Sequence, residues 1–117
     1  MSASEPDPEE LRRRFLPRLQ AERAALAQAS QSTEADRRPV ELDQQSVGRL
    51  SRMDAMQQQA MARAQEARRR ARIRALDAAI RRIGTEDYGW CDSCGEFIGE
   101  ERLALDPALT RCRACAR

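Results

Sequence analysis

Apolar side chains recur at helical intervals in two long blocks, and a short module rich in cysteine follows them. In the first block Leu11, Phe15, Leu19 and Leu26 fall close to multiples of 3.6 and predict one stripe on a helix over residues 9–30, with Glu9 and Glu10 favourably placed at its N-terminal end. Pro17 interrupts the stripe, and because an interior proline costs about 3 kcal/mol, a kink or a start nearer Pro17 is expected. The second block, residues 51–83, contains no proline or glycine, and as a helix it would measure about 50 Å. Here Met53, Met56, Ala60, Ala64, Ala67 and Ala71 predict a narrow packing seam, continued by Ile73, Leu76, Ile80 and Ile83, with Gly84 placed to end the helix. Residues 31–50 are polar and aperiodic, carry Pro39 and Gly48, and read as a connection. The second helix is expected to begin near residues 43–46, although Ser51 with Asp54 three positions on is a capping-box variant. An alanine-rich seam admits a close partner, and the first helix is the internal candidate. The pattern therefore predicts an antiparallel helical hairpin over residues 9–83, its tip around 31–50, with residues 1–8 as a flexible leader.

Composition narrows the function. Of 117 residues, 34% are charged and only 3% aromatic, which argues for an elongated, mainly α body in place of a thick core. Histidine is absent and all 21 basic residues are arginine, which removes the usual general base, triad member and Schiff-base lysine. No acid/base pair, activated nucleophile or phosphate cradle can be assembled, so no enzyme activity is expected. The net charge of +2 conceals a division: residues 63–83 hold eight arginines against Glu66 and Asp77, a local +6, and residues 84–106 hold seven acids against Arg102, a local −6. The acidic start lacks signal-peptide character and no stretch approaches the roughly 18 apolar residues of a membrane span, so a cytoplasmic protein without a membrane partner is expected.

The last 27 residues contain all four cysteines, as Cys91-x-x-Cys94 and Cys112-x-x-Cys115 with seventeen residues between the pairs. This spacing is that of a structural zinc site, in which each short turn contributes two sulfurs to a tetrahedron. Four thiolates leave no open position for a catalytic water, so one Zn2+ is expected to stabilise and not to catalyse. Two disulfides or a redox pair form the alternative, disfavoured where no export signal is present. Tyr88, Trp90 and Phe97 lie in the same segment and are expected to build a small core around the metal.

The run Asp87-Tyr88-Gly89-Trp90-Cys91-Asp92-Ser93-Cys94-Gly95-Glu96-Phe97-Ile98, with Arg102-Leu103, Pro107 and the second cysteine pair, resembles the C4 zinc finger of the DksA/TraR transcription factors. The resemblance covers residues 84–117 and, by architecture, the second helix. It implies a protein that binds bacterial RNA polymerase and inserts a coiled-coil hairpin into the secondary channel, where acidic and small tip residues alter open-complex stability. The family's Asp-x-x-Asp-x-Ala tip motif aligns without gaps on Gly48, Ser51 and Met53, which do not match it. Asp43 and Asp54 are the neighbouring acids that could substitute, Asp54 lying closer to the aligned position. Of the basic positions implied for the alarmone guanosine tetraphosphate (ppGpp), Arg68 matches, whereas Ala75 and Ala116 replace basic residues.

Two other readings follow from the residues alone. Arg68, Arg69, Arg70, Arg72 and Arg74 could neutralise phosphates, but consecutive helix positions point in different directions, which weighs against direct DNA binding. A structural adaptor, with a homodimer completing the seam, is the other; a monomeric hairpin is the simpler expectation.

Overall fold

The computed structural model describes residues 6–39 and 49–116, and the description below refers to these. Helix α1 spans Pro8–Ser32, a 3-10 turn spans Glu34–Arg37, helix α2 spans Arg49–Arg82 and a short helix α3 spans Glu100–Leu105. The chain is mainly α; the extended pairing present is an isolated antiparallel bridge between Trp90 and Phe97. No helix among the described residues is long and apolar enough to cross a membrane.

Helix α1 starts where local chemistry asks it to. The Asp7 carboxylate accepts the Glu9 N–H at 3.0 Å and the Asp7 carbonyl accepts the Leu11 N–H at 3.1 Å. Pro8 then occupies the first helical position, where its missing N–H costs nothing. The alternative of a start nearer Pro17 is corrected, because α1 begins at Pro8 and continues through Pro17. Leu11, Phe15 and Leu19 are all buried. At about 1.5–3 kcal/mol each, their burial outweighs the roughly 3 kcal/mol cost of an interior proline.

The chain divides into two compact units. The first joins residues up to Ala24 with those from Arg74 onward. Its core stacks Leu11, Phe15 and Leu19 of α1 with Leu76, Ala79 and Ile83 of α2 and with Tyr88, Ile98, Leu103 and Ala108. Phe15 and Tyr88 lie 6.3 Å apart between ring centroids, and the Arg14 guanidinium sits 5.0 Å above the Phe15 ring. Polar contacts fix this arrangement. Arg23 Nε donates to Asp77 at 2.7 Å, and the bond holds the Asp77 carboxyl below its ordinary range. Arg14 pairs with Glu100 at 2.9 Å, and Arg18 donates to the Ala104 carbonyl at 2.7 Å. Helix α2 ends at Arg82, but not through a left-handed glycine. Gly84 is not among the residues with positive φ; instead the Thr85 N–H and hydroxyl donate to the Arg82 carbonyl at 2.8 and 2.7 Å.

The second unit is Ala25–Ile73. Its cross-chain bonds pair Ser30 with Glu66, Arg37 with Arg63 and Arg38 with Gln59, so rising numbers on one side meet falling numbers on the other, as an antiparallel pair requires. The packing seam differs from the one expected. Met53, Met56, Ala60, Ala64, Ala67 and Ala71 are all exposed, the first two by 57% and 54%. The shielded positions are Arg52, Ala55, Gln59, Ala62, Glu66, Arg69 and Ile73. These also step by threes and fours but lie one or two residues nearer the N-terminus, because a hydrogen-bonded polar network occupies the inner face and leaves the methionines to solvent. Ser51 falls inside α2 as described, so it does not cap the helix, and the expected start at residues 43–46 lies outside the described residues.

Candidate metal centre

Residues 88–98 fold back on themselves to build the first pair of sulfurs. The Ile98 N–H donates to the Gly89 carbonyl at 2.7 Å, and the Cys91 N–H to the Glu96 carbonyl at 2.8 Å. Trp90 and Phe97 meet across this turn with ring centroids 5.6 Å apart. Gly89 must be glycine: its φ is +93°, and a Cβ there would lie 3.1 Å from Phe97 and within 3.6 Å of Leu11 and Leu103. Gly95, at φ +77°, closes the knuckle by donating its N–H to the Cys91 carbonyl at 3.0 Å.

The second pair sits on a tight turn in which the Cys115 and Ala116 N–H groups both donate to the Cys112 carbonyl. One bond registers the two turns directly, from the Asp92 N–H to the Thr110 carbonyl at 2.8 Å. Arg102 Nε braces the approach by donating to the Arg111 carbonyl at 3.3 Å. Behind the site the Tyr88 hydroxyl donates to the Pro107 carbonyl at 2.7 Å, and burial pushes its pKa up to about 12, so it stays a neutral donor.

These turns bring Cys91, Cys94, Cys112 and Cys115 together with all four sulfurs within 4.8 Å of one another. All four are free thiols, which sets the disulfide alternative aside. Four sulfurs around a zinc at about 2.3 Å would be separated by about 3.8 Å, and Cys94 and Cys112 already stand at 3.6 Å. The donor set therefore fits one structural zinc, which would neutralise half the charge of four thiolates and lock both turns. Cys91 is the buried member and Cys94 the exposed one. Backbone N–H groups of Cys112 and Cys94 at the Cys91 sulfur hold its pKa down to about 6, while Cys112 and the other two sulfurs push Cys115 up to about 12. Sulfurs this close share protons among themselves, and a divalent cation that takes all four as thiolates replaces that sharing.

The other candidate residues lie elsewhere. Ser51, Asp54 and Arg68 are exposed on α2 within the second unit, and Asp43 lies outside the described residues. Sequence reasoning missed Glu66, which is 5% exposed and bonded to Ser30, Arg69 and Arg70. A signal was available: stepping back from Ile83, Ile80, Leu76 and Ile73 by threes and fours reaches Arg69 and Glu66, not Ala71 and Ala67.

Fold and site together define a helical protein carrying a C4 zinc finger. Residues 86–117 match the family model of the prokaryotic DksA/TraR C4-type zinc finger, and this segment is a finger of that family. The RNA polymerase-binding transcription factor DksA of Haemophilus influenzae is 38% identical over 48 residues, 41% of this chain and 33% of that protein. Its Escherichia coli counterpart is 35% identical over 48 residues, 41% of this chain and 32% of that protein. The aligned stretch thus spans about a third of the length of the curated relatives. In fold, the structure of transcription factor DksA2 from Pseudomonas aeruginosa superposes on 97% of this chain and 88% of its own, with a TM-score of 0.68 at 23% sequence identity.

Proposed function

We propose that this chain is a zinc-containing transcription regulator that binds bacterial RNA polymerase through its secondary channel and changes the lifetime of promoter open complexes. The observation that carries this reading is the DksA/TraR finger at residues 86–117 on a chain whose fold follows a DksA-type protein over nearly its whole length. In this reading residues 84–117 form the zinc-stabilised body, residues 9–83 the hairpin with its tip around 31–50, and residues 1–8 a leader. Asp54, an exposed carboxylate on α2, is the effector acid, with Asp43 and Ser51 as secondary candidates and Arg68 the residue that would meet an alarmone phosphate. The protein acts as a cytoplasmic monomer.

The arginine run gives less support to nucleic-acid binding. Arg69 and Arg70 spend their guanidinium groups on Glu66 at 2.6 and 2.8 Å, which leaves fewer of the five charges for phosphates.

Co-purification with core polymerase, followed by promoter-complex lifetimes, tests the proposal. Wild type is expected to co-purify and to change lifetimes. Asp54→Ala is expected to co-purify equally and to lose the effect. Absence of polymerase binding at low salt overturns the function, and unchanged lifetimes with Asp54→Ala overturn the role of that carboxylate.

A further inference from the structure

Glu66 is the buried charged residue among those described, and its carboxylate joins three elements. Arg69 Nη1 and Arg70 Nε reach it from the next turn of α2 at 2.6 and 2.8 Å, a local pairing that α2 supplies by itself. Ser30 reaches it from α1 with its hydroxyl at 2.9 Å, and Arg37 from the end of the 3-10 turn with Nη1 at 3.4 Å. Burial pushes this carboxyl up, but the Ser30, Arg69 and Arg70 hydrogen bonds and the Arg37 charge outweigh it and hold the pKa down to about 2, so the group is ionised throughout the physiological range.

Arg37 uses the rest of its fork on the end of α1. Its Nη2 donates to the Ser30 carbonyl at 3.0 Å and its Nη1 to the Thr33 hydroxyl at 2.9 Å. The backbone beyond is held by the same face of α2: Arg63 donates to the Arg37 carbonyl at 3.4 Å, and Gln59 donates to the Arg38 carbonyl. No residue of the 3-10 turn is buried, so hydrophobic burial does not anchor this segment and the polar bonds do. One carboxylate faces three guanidinium groups, so its loss leaves the Arg37, Arg69 and Arg70 charges in close company with no counterion.

We propose that Glu66 and Arg37 are positioning residues: together they fix the path of residues 33–38 across α2, about one and a half to three turns from Asp54, and so set the regulatory effect without adding to polymerase affinity. The functional half rests on the reading above; the structural half does not. Glu66→Gln, Arg37→Ala and their double variant are compared with wild type by amide hydrogen exchange, zinc content, polymerase affinity and promoter-complex lifetime. Each single variant is expected to speed exchange over residues 33–39 by about tenfold or more while residues 76–83 and zinc content stay unchanged. The double variant should exceed the larger single effect by no more than about twofold, because both changes open one contact. Arg37→Lys, which keeps the charge but not the fork, should give intermediate exchange. Affinity is expected to hold within about twofold while the effect on lifetimes falls. Unchanged exchange in Glu66→Gln, multiplicative effects in the double variant, or a full effect on lifetimes despite faster exchange overturns the proposal. If wild type does not bind polymerase, the functional reading fails, and exchange with additivity still decides whether the two residues hold the segment.

Discussion

At the scale of single residues, three positions show different kinds of constraint. Leu76 is fully buried where α1, α2 and the finger segment share a core, and Leu76→Ala should cost about 2–5 kcal/mol in urea unfolding, the ordinary range for such a truncation. Gly89 is constrained twice, by φ and by the 3.1 Å approach to Phe97. Gly89→Ala should therefore lower the thermal midpoint and weaken zinc retention against a chelator, whereas Gly84→Ala, which meets nothing within 4 Å, should do neither. Glu66 is constrained electrostatically. Its folded-state pKa lies below the ordinary value of 4.5, so its ionised form stabilises the fold above that pH and the benefit is lost as pH falls toward about 2. The stability difference between wild type and Glu66→Gln should accordingly be largest near neutrality and shrink between pH 5 and 2.5, as followed by denaturant titrations at each pH.

At the scale of elements, helices α1 and α2 were legible in outline. A proline- and glycine-free block with helical periodicity leaves little alternative, and α2 covers it from Arg49 to Arg82. The seam of the second unit was misread for a physical reason. Hydrophobicity decides which face turns inward only when the inward residues are apolar, and here Gln59 exchanges hydration for the Arg38 carbonyl while Glu66 does so for Arg69 and Ser30. No scale of single-residue hydropathy ranks Glu66 above Met53 for burial; the cue was the continuing step of three and four, with arginines at the third and fourth positions after the glutamate. At Pro17 the stripe of Leu11, Phe15 and Leu19 was legible beside the local cost, and what single residues did not give was that burial of that stripe outweighs the proline. Because α1 already pays that cost, Pro17→Ala should stabilise the protein by about 2–2.5 kcal/mol, the interior-proline penalty of about 3 kcal/mol less the roughly 0.4–1 kcal/mol of unfolded-state entropy that proline removes. Equilibrium urea unfolding checks the sign.

At the scale of the whole molecule, the two units depend on different chemistry. The finger was readable almost completely from sequence because its ligands come in two local pairs, and Gly89 and Gly95 flank the turn that presents the first of them. The first unit joins that finger to Leu11, Phe15 and Leu19, so stripping zinc with a chelator should shift Trp90 emission and speed exchange in residues 11–19. Residues 59–70, which belong to the second unit and are bonded through Glu66, should keep their protection in the same experiment. Slowed exchange spreading equally through both segments would contradict this division, as would equal acceleration.

A helical pair keyed by one carboxylate has something like a reading frame. Adding or removing a single residue between Gln59 and Glu66 would rotate everything beyond it by about 100° and turn Gln65 or Ala67, in place of the carboxylate, toward Ser30 and Arg37. Lengthening the connection between the helices disturbs no such phase. Insertions and deletions in relatives or engineered variants should therefore collect in the connection, or arrive within the helices as compensated seven-residue blocks.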